Sequence, residues 1–69
     1  MGIKFSHHAV SRMEERGIAE KQVREALELG TPSGPHTQDD GKIVMSYTYN
    51  NLVVVLGPDL SIITTYERS

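Results

Sequence analysis

Ile43-Val44-Met45-Ser46-Tyr47-Thr48-Tyr49-Asn50-Asn51-Leu52-Val53-Val54-Val55-Leu56 is the stretch that decides the fold. In its first half Ile43, Met45, Tyr47 and Tyr49 alternate with Val44, Ser46 and Thr48, the period-two pattern of a strand. Asn50-Asn51 then fits a two-residue hairpin turn, because Asn tolerates the positive φ that such a turn needs. Leu52 to Leu56 is apolar at every position, which predicts an inner strand covered on both faces. Towards the C-terminus, Gly57-Pro58-Asp59-Leu60 turns the chain and Ser61–Tyr66 reads as the last strand. On it Ile62, Thr64 and Tyr66 are expected on one face, with Ile63 and Thr65 on the other. Tyr47 and Tyr49 read as core or cross-strand packing residues before they read as base-stacking ones.

Towards the N-terminus, Thr31–Gly41 is a loop rich in Gly, Pro and Asp, with a short edge strand expected near Pro35–Gln38. Before it the periodicity becomes helical. A helix over His7–Arg16 has Ser6 as N-cap, Ala9, Val10 and Met13 on one face, and Gly17 at its left-handed stop. A second helix over Glu20–Leu29 buries Val23, Ala26 and Leu27. Its outer face offers the i, i+4 pairs Glu20–Arg24, Lys21–Glu25 and Arg24–Glu28. Ala19 is a poor cap for its start, and Gly30 with Pro32 ends it. Helices first and strands after predict an α+β domain over residues 1–69: two N-terminal helices packed on one face of an antiparallel sheet of three to four strands.

Composition narrows the function. The 69 residues include no cysteine, so no disulfide and no thiolate metal site is available, as suits a cytoplasmic protein. No signal peptide is evident at the start, and no apolar run is long enough to span a bilayer. Met1 to Ser6 fits the loose acylation pattern M-G-x-x-x-[ST], too short to carry a lipid anchor by itself. The net charge of -2 argues against a non-specific grip on DNA or RNA but leaves room for a local basic site. His7, His8 and His36 with Asp39 and Asp40 follow no metal-ligand spacing, and there is neither a Gly-rich phosphate loop nor a nucleophile motif. No metal or cofactor is expected.

His8, Arg12 and Arg16 are spaced four apart, and each such step rotates about 40° on a helix. They form a slanted polar stripe in which Arg12 and Arg16 repel each other. A bound anion offsets that repulsion; so does Glu15 pairing with Arg12, and the spacing leaves both readings open. His8 falls in the first turn, where the helix dipole favours the neutral imidazole that a general base needs and free N–H groups suit a phosphate. His7 points about 100° away and reads as structural. Thr64 and Tyr66 would place a hydroxyl and a phenol about 7 Å apart on one strand face, as ordinary strand formers also do.

Ser6-His7-His8-Ala9-Val10-Ser11-Arg12-Met13-Glu14-Glu15-Arg16-Gly17-Ile18 resembles the opening S-x-H-A-x-x-R-M-x-x-R-G-I of the domain of unknown function 4258 family. Val23, Ala26-Leu27 and Gly30 continue the pattern, and Ile62-Ile63-Thr64-Thr65-Tyr66 resembles the closing I-[IV]-T-x-Y. Ala19 and His7 depart mildly from it. That family is grouped with the barnase, EndoU, colicin and RelE type of metal-independent ribonuclease, as toxin domains and small free-standing proteins. The resemblance implies a RelE-like domain with His8, Arg12, Thr64 and Tyr66 catalytic, and Arg16 and Ser6 holding substrate. It implies RNA as substrate, with the ribosome as one setting, a neutralising antitoxin or immunity protein as partner, and neither membrane nor DNA. Its rival is a non-catalytic module of the same fold that binds protein or RNA.

Overall fold

The computed structural model describes residues 3–68. Met1 and Gly2, where the acylation pattern begins, lie outside the described residues, as does Ser69. The elements are β1 (Lys4–Phe5), α1 (His7–Arg16), α2 (Glu20–Leu29), β2 (Thr31–Thr37), β3 (Ile43–Tyr49), β4 (Leu52–Leu56) and β5 (Ser61–Glu67). One sheet of five strands runs in the order β1-β5-β4-β3-β2, so β4 is its middle strand. The class is α+β as the sequence predicts, but the sheet is larger than three to four strands and mixed rather than antiparallel. β1 pairs parallel to β5, while every other pair is antiparallel. Two residues are too few to show a period, which hides β1 in the sequence. β2 is longer than the edge segment expected near Pro35–Gln38. Pro32 is tolerated within it because the outer side of an edge strand needs no N–H donors, and Pro35 because it falls in the register break between Ser33 and His36.

Local chemistry accounts for the ends of the elements. Asn50 and Asn51 have φ of 47° and 73°, the two left-handed residues of a two-residue hairpin. Gly17 closes α1 at φ 67°. The start of α2, where Ala19 has no side chain to cap with, is secured by Gln22, whose Oε1 accepts from the Ala19 N–H at 2.7 Å. Gly30 ends α2 as expected, with an extended backbone at φ -76°. A Cβ there would press on the Ala26 carbonyl and come within 2.9 Å of the Thr48 oxygen, so glycine is what lets α2 end hard against β3. Of the expected surface pairs on α2, Arg24–Glu20 forms at 2.9 Å and is the one ion pair among the described residues. With Arg24 drawn to Glu20, it does not pair with Glu28; Lys21–Glu25 and Arg12–Glu15 do not form either.

Both helices pack on one face of the sheet. Ala9, Met13, Ile18, Val23 and Ala26 meet Leu52, Val54 and Ile62 there, with Tyr49 and Leu56 partly buried against them. Val10, expected in this stripe, is 41% exposed, because the stripe on α1 is narrow and Ala9 and Met13 fill it. Val53 and Val55 alternate with the helix-side residues and so lie on the other face. They are nevertheless buried, walled by Thr48 and Ser46 on β3 and by Tyr66 and Thr64 on β5. β4 is thus covered on both faces by different means: helices over one, cross-strand neighbours over the other.

β5 departs from simple alternation. Val55 pairs with Thr64 but Leu56 pairs with Ile62, so Ile63 is an extra residue in a bulge. Ile62 therefore faces the helices while Thr64 and Tyr66 face away from them, and the expectation that all three share a face is corrected. Thr65 lies on the helix side, 1% exposed, and its hydroxyl has no hydrogen-bond partner. Replacing Gly30 by Ala should destabilise the domain by about 1–3 kcal/mol, because the space a Cβ needs is held by backbone rather than by a side chain that can rotate away. Thermal or urea melts would measure this, and an unchanged midpoint would refute the close-approach role.

Candidate functional site

Ser6 is the starting point. Its backbone N–H donates to the Ile62 carbonyl at 3.1 Å. Its hydroxyl donates to the Ile63 carbonyl at 3.0 Å and accepts from the Ala9 N–H at 3.1 Å. One residue therefore caps α1 and fastens the capped end to the bulged part of β5. His8 is the second residue of that helix and is exposed.

Ser6 and His8 form one wall of a cleft of about 560 Å³. Gln38, Asp40 and Lys42, from the β2–β3 connection, form a second wall, and Gly57, Pro58, Asp59, Ser61 and Ile63 complete it. The β2–β3 and β4–β5 connections lie at the same end of the sheet, so the cleft forms at that end, and α1 contributes only its N-cap and first turn.

This arrangement sorts the residues singled out in the sequence. His8 and Ser6 line the cleft; Arg12, Arg16, Thr64 and Tyr66 do not. Thr64 and Tyr66 lie on the face away from the helices, along the strand that walls the cleft, one and three residues beyond Ile63. Tyr66 is 46% exposed there. Arg12 is half-buried one helical turn beyond His8, and Arg16 is exposed in the last turn of α1. The cleft that His8 lines does not also hold Arg12 and Tyr66. Ser6 is committed to the cap and to Ile63. Tyr49 packs on the core, as its strand position implied.

Sequence reasoning missed Gln38, Asp40, Lys42, Asp59 and Ser61. The turn signals around them were legible, but two turns far apart in sequence meet only through the sheet order. Their polar groups are locally organised. The Asp40 Oδ1 accepts from the Lys42 N–H at 3.0 Å, and the Gln38 N–H donates to the Lys42 carbonyl at 2.8 Å. The Ser61 hydroxyl first and then the Asp59 N–H hold the Asp59 carboxyl below its ordinary value; desolvation opposes them, and the Ser61 N–H and the charge of Lys4 add weaker downward pulls. Among the described residues no three His, Asp or Glu side chains gather as a metal site. No described helix is long and apolar enough to cross a membrane. A family model described as Domain of unknown function (DUF4258) matches residues 5–67. No curated protein and no solved structure gives a significant match.

Two outcomes follow from these bonds. Ser6→Ala removes a cap and a strand contact together and should cost about 1–2 kcal/mol in a denaturant melt; a cost near zero would show that the clamp is dispensable. Because the Asp59 carboxyl is depressed in the folded state, its contribution is present above the ordinary carboxylate value and fades as pH falls through the lower folded value. A carbon-detected NMR titration should place the Asp59 midpoint below the ordinary aspartate value, and Ser61→Ala should move it upward.

Proposed function

We propose that this chain, which belongs to the Domain of unknown function (DUF4258) family, is a metal-independent endoribonuclease of the toxin type with a RelE-like fold, related to the barnase, EndoU and colicin group. The observation that carries the reading is the position of His8: exposed on the wall of a cleft, on a helix end hydrogen-bonded to the strand that bears Thr64 and Tyr66.

His8 takes the proton of a ribose 2′-OH. The 2′-oxygen attacks the adjacent phosphorus, the bond from phosphorus to the 5′-oxygen breaks, and the leaving oxygen takes a proton from the Tyr66 phenol or from water. The products are a 2′,3′-cyclic phosphate and a 5′-hydroxyl. Arg12, one turn beyond His8 and outside the cleft lining, has the role of stabilising the charge that grows on the phosphate in the transition state. Thr64 positions that phosphate and Arg16 holds the chain further along. The substrate is RNA, free or on the ribosome, and a neutralising antitoxin or immunity protein covers the site in the cell.

A second reading, a non-catalytic module that binds protein, is favoured by one observation. Val10, 41% exposed, borders an apolar groove of about 190 Å³ with Phe5 and Met13. Incubating the purified chain with mixed single-stranded RNAs, with and without EDTA, separates the two. The nuclease cleaves in both and leaves cyclic phosphate ends. Arg12→Ala should lower the rate by about 10²–10³-fold and stability by less than about 1 kcal/mol, while Arg24→Ala on the outer face of α2 changes neither. Intact RNA under all conditions would leave the binding module standing.

A further inference from the structure

We infer that Lys42 and His8 form an anion-binding pair across the cleft, and that Lys42 is the side chain that contacts the non-bridging oxygens of a phosphodiester seated between them. The choice of an RNA phosphodiester rests on the nuclease reading; the anion site rests on the geometry alone.

Four ionisable side chains line the cleft: His8, Asp40, Lys42 and Asp59. Asp40 is engaged in holding its own turn, accepting from the Lys42 N–H at 3.0 Å. Asp59 lies beside Ser61, whose hydroxyl is the largest of the influences that hold its carboxyl below the ordinary value. His8 and Lys42, in contrast, make no ion pair, since the only one among the described residues is Arg24–Glu20. The groups left with unused capacity are thus an imidazole and an ammonium, and the chemistry they share is anion recognition. Lys42 is also the one full cation lining the cleft, a place that Arg12 and Arg16 do not occupy.

The space between the two groups has a physical origin. β3 and β5 flank β4, so they stand about 10 Å apart. The last position of that gap is Gly57, which puts no side chain into it. A Cβ at Gly57 would lie 3.1 Å from the Ile63 Cδ1 and crowd the floor of the cleft. A lysine arm from one side and an imidazole from the other leave room for a group the size of a phosphate. The backbone beneath Lys42 is fixed by the hydrogen bonds of Asp40 and Gln38, so the arm is aimed from a rigid base.

The test is a heteronuclear NMR titration of the whole chain with inorganic phosphate, run beside the RNA cleavage assay. Saturable shifts are expected at His8, Lys42, Gly57 and Ile63. Lys42→Met should weaken phosphate binding at least tenfold and slow cleavage by about 10²-fold, whereas Lys42→Arg keeps most of both. Lys21→Met, on exposed α2, should change nothing and controls for loss of net charge. Lys42 is exposed on a turn, and a dispersed amide spectrum checks that each variant is folded. If phosphate shifts only the Arg12 and Arg16 region, or if Lys42→Met binds it as wild type does, the inference is overturned even where wild-type RNA cleavage persists. If phosphate binds through Lys42 but no RNA is cleaved, the anion site stands and the nuclease reading falls.

Discussion

Everything on the cleft side of the molecule depends on Ser6. Its N–H and hydroxyl bind two consecutive carbonyls of β5 while its oxygen caps α1. The hydroxyl bond alone joins residues 57 apart in sequence. A serine N-cap ordinarily satisfies one orphan donor at a helix start; here the same oxygen also fixes where that start lies over the sheet. The bulge at Ile63 is the other half of the joint. An extra residue in β5 re-aims the strand, a device found near active sites elsewhere. It lets Ile62 face the core while Thr64 and Tyr66 face away from the helices.

The sheet keeps its two faces for different purposes. On the helix side, fully buried Val23, Val54 and Ile62 each contribute about 1.5–3 kcal/mol by leaving water. A chain this short has little stability to spare, and the lone hydroxyl of Thr65 is the one buried side-chain polar group left unpaired among the described residues. On the other face hydroxyl side chains and Tyr66 surround the two valines of β4, where no helix covers them. That face can carry polar work because the first supplies the cohesion.

The sequence showed the local elements closely and the long-range ones poorly. Both helices and the hairpin at Asn50-Asn51 were legible because their signals, a cap, a period and a turn residue, all lie within a few positions. β1 was not, since two residues paired in parallel with a strand near the other end carry no local period. Nor was the bulge, which shifts the faces of β5 without leaving any mark in the alternation of Ile, Thr and Tyr. The site suffered the same way. His8 was found from its helix position and the family motif, whereas Lys42 and Asp59 belong to turns that only the order β5-β4-β3 brings together. Gly30 read as a helix stop, and it is one. Its reason is the Thr48 carbonyl beside it, a contact no helix signal encodes.

A net charge of -2 looks unfavourable for a chain that handles phosphate, but net charge measures the distant field and not the contact. At physiological ionic strength charges are screened over about 8 Å. Glu20, Glu25 and Glu28 belong to α2, none of whose residues lines the cleft, and Glu20 is already paired with Arg24. Close to the cleft the full charges are Lys42 against Asp39, Asp40 and Asp59, so the local balance is itself acidic. Such a site gains nothing from steering, so an anion is held there by direct contact with Lys42 and His8 or not at all. An acidic chain whose cleft offers two nitrogen groups outside any ion pair is therefore suited to selecting a phosphate by geometry, and unsuited to the indiscriminate nucleic-acid binding that a basic surface would bring.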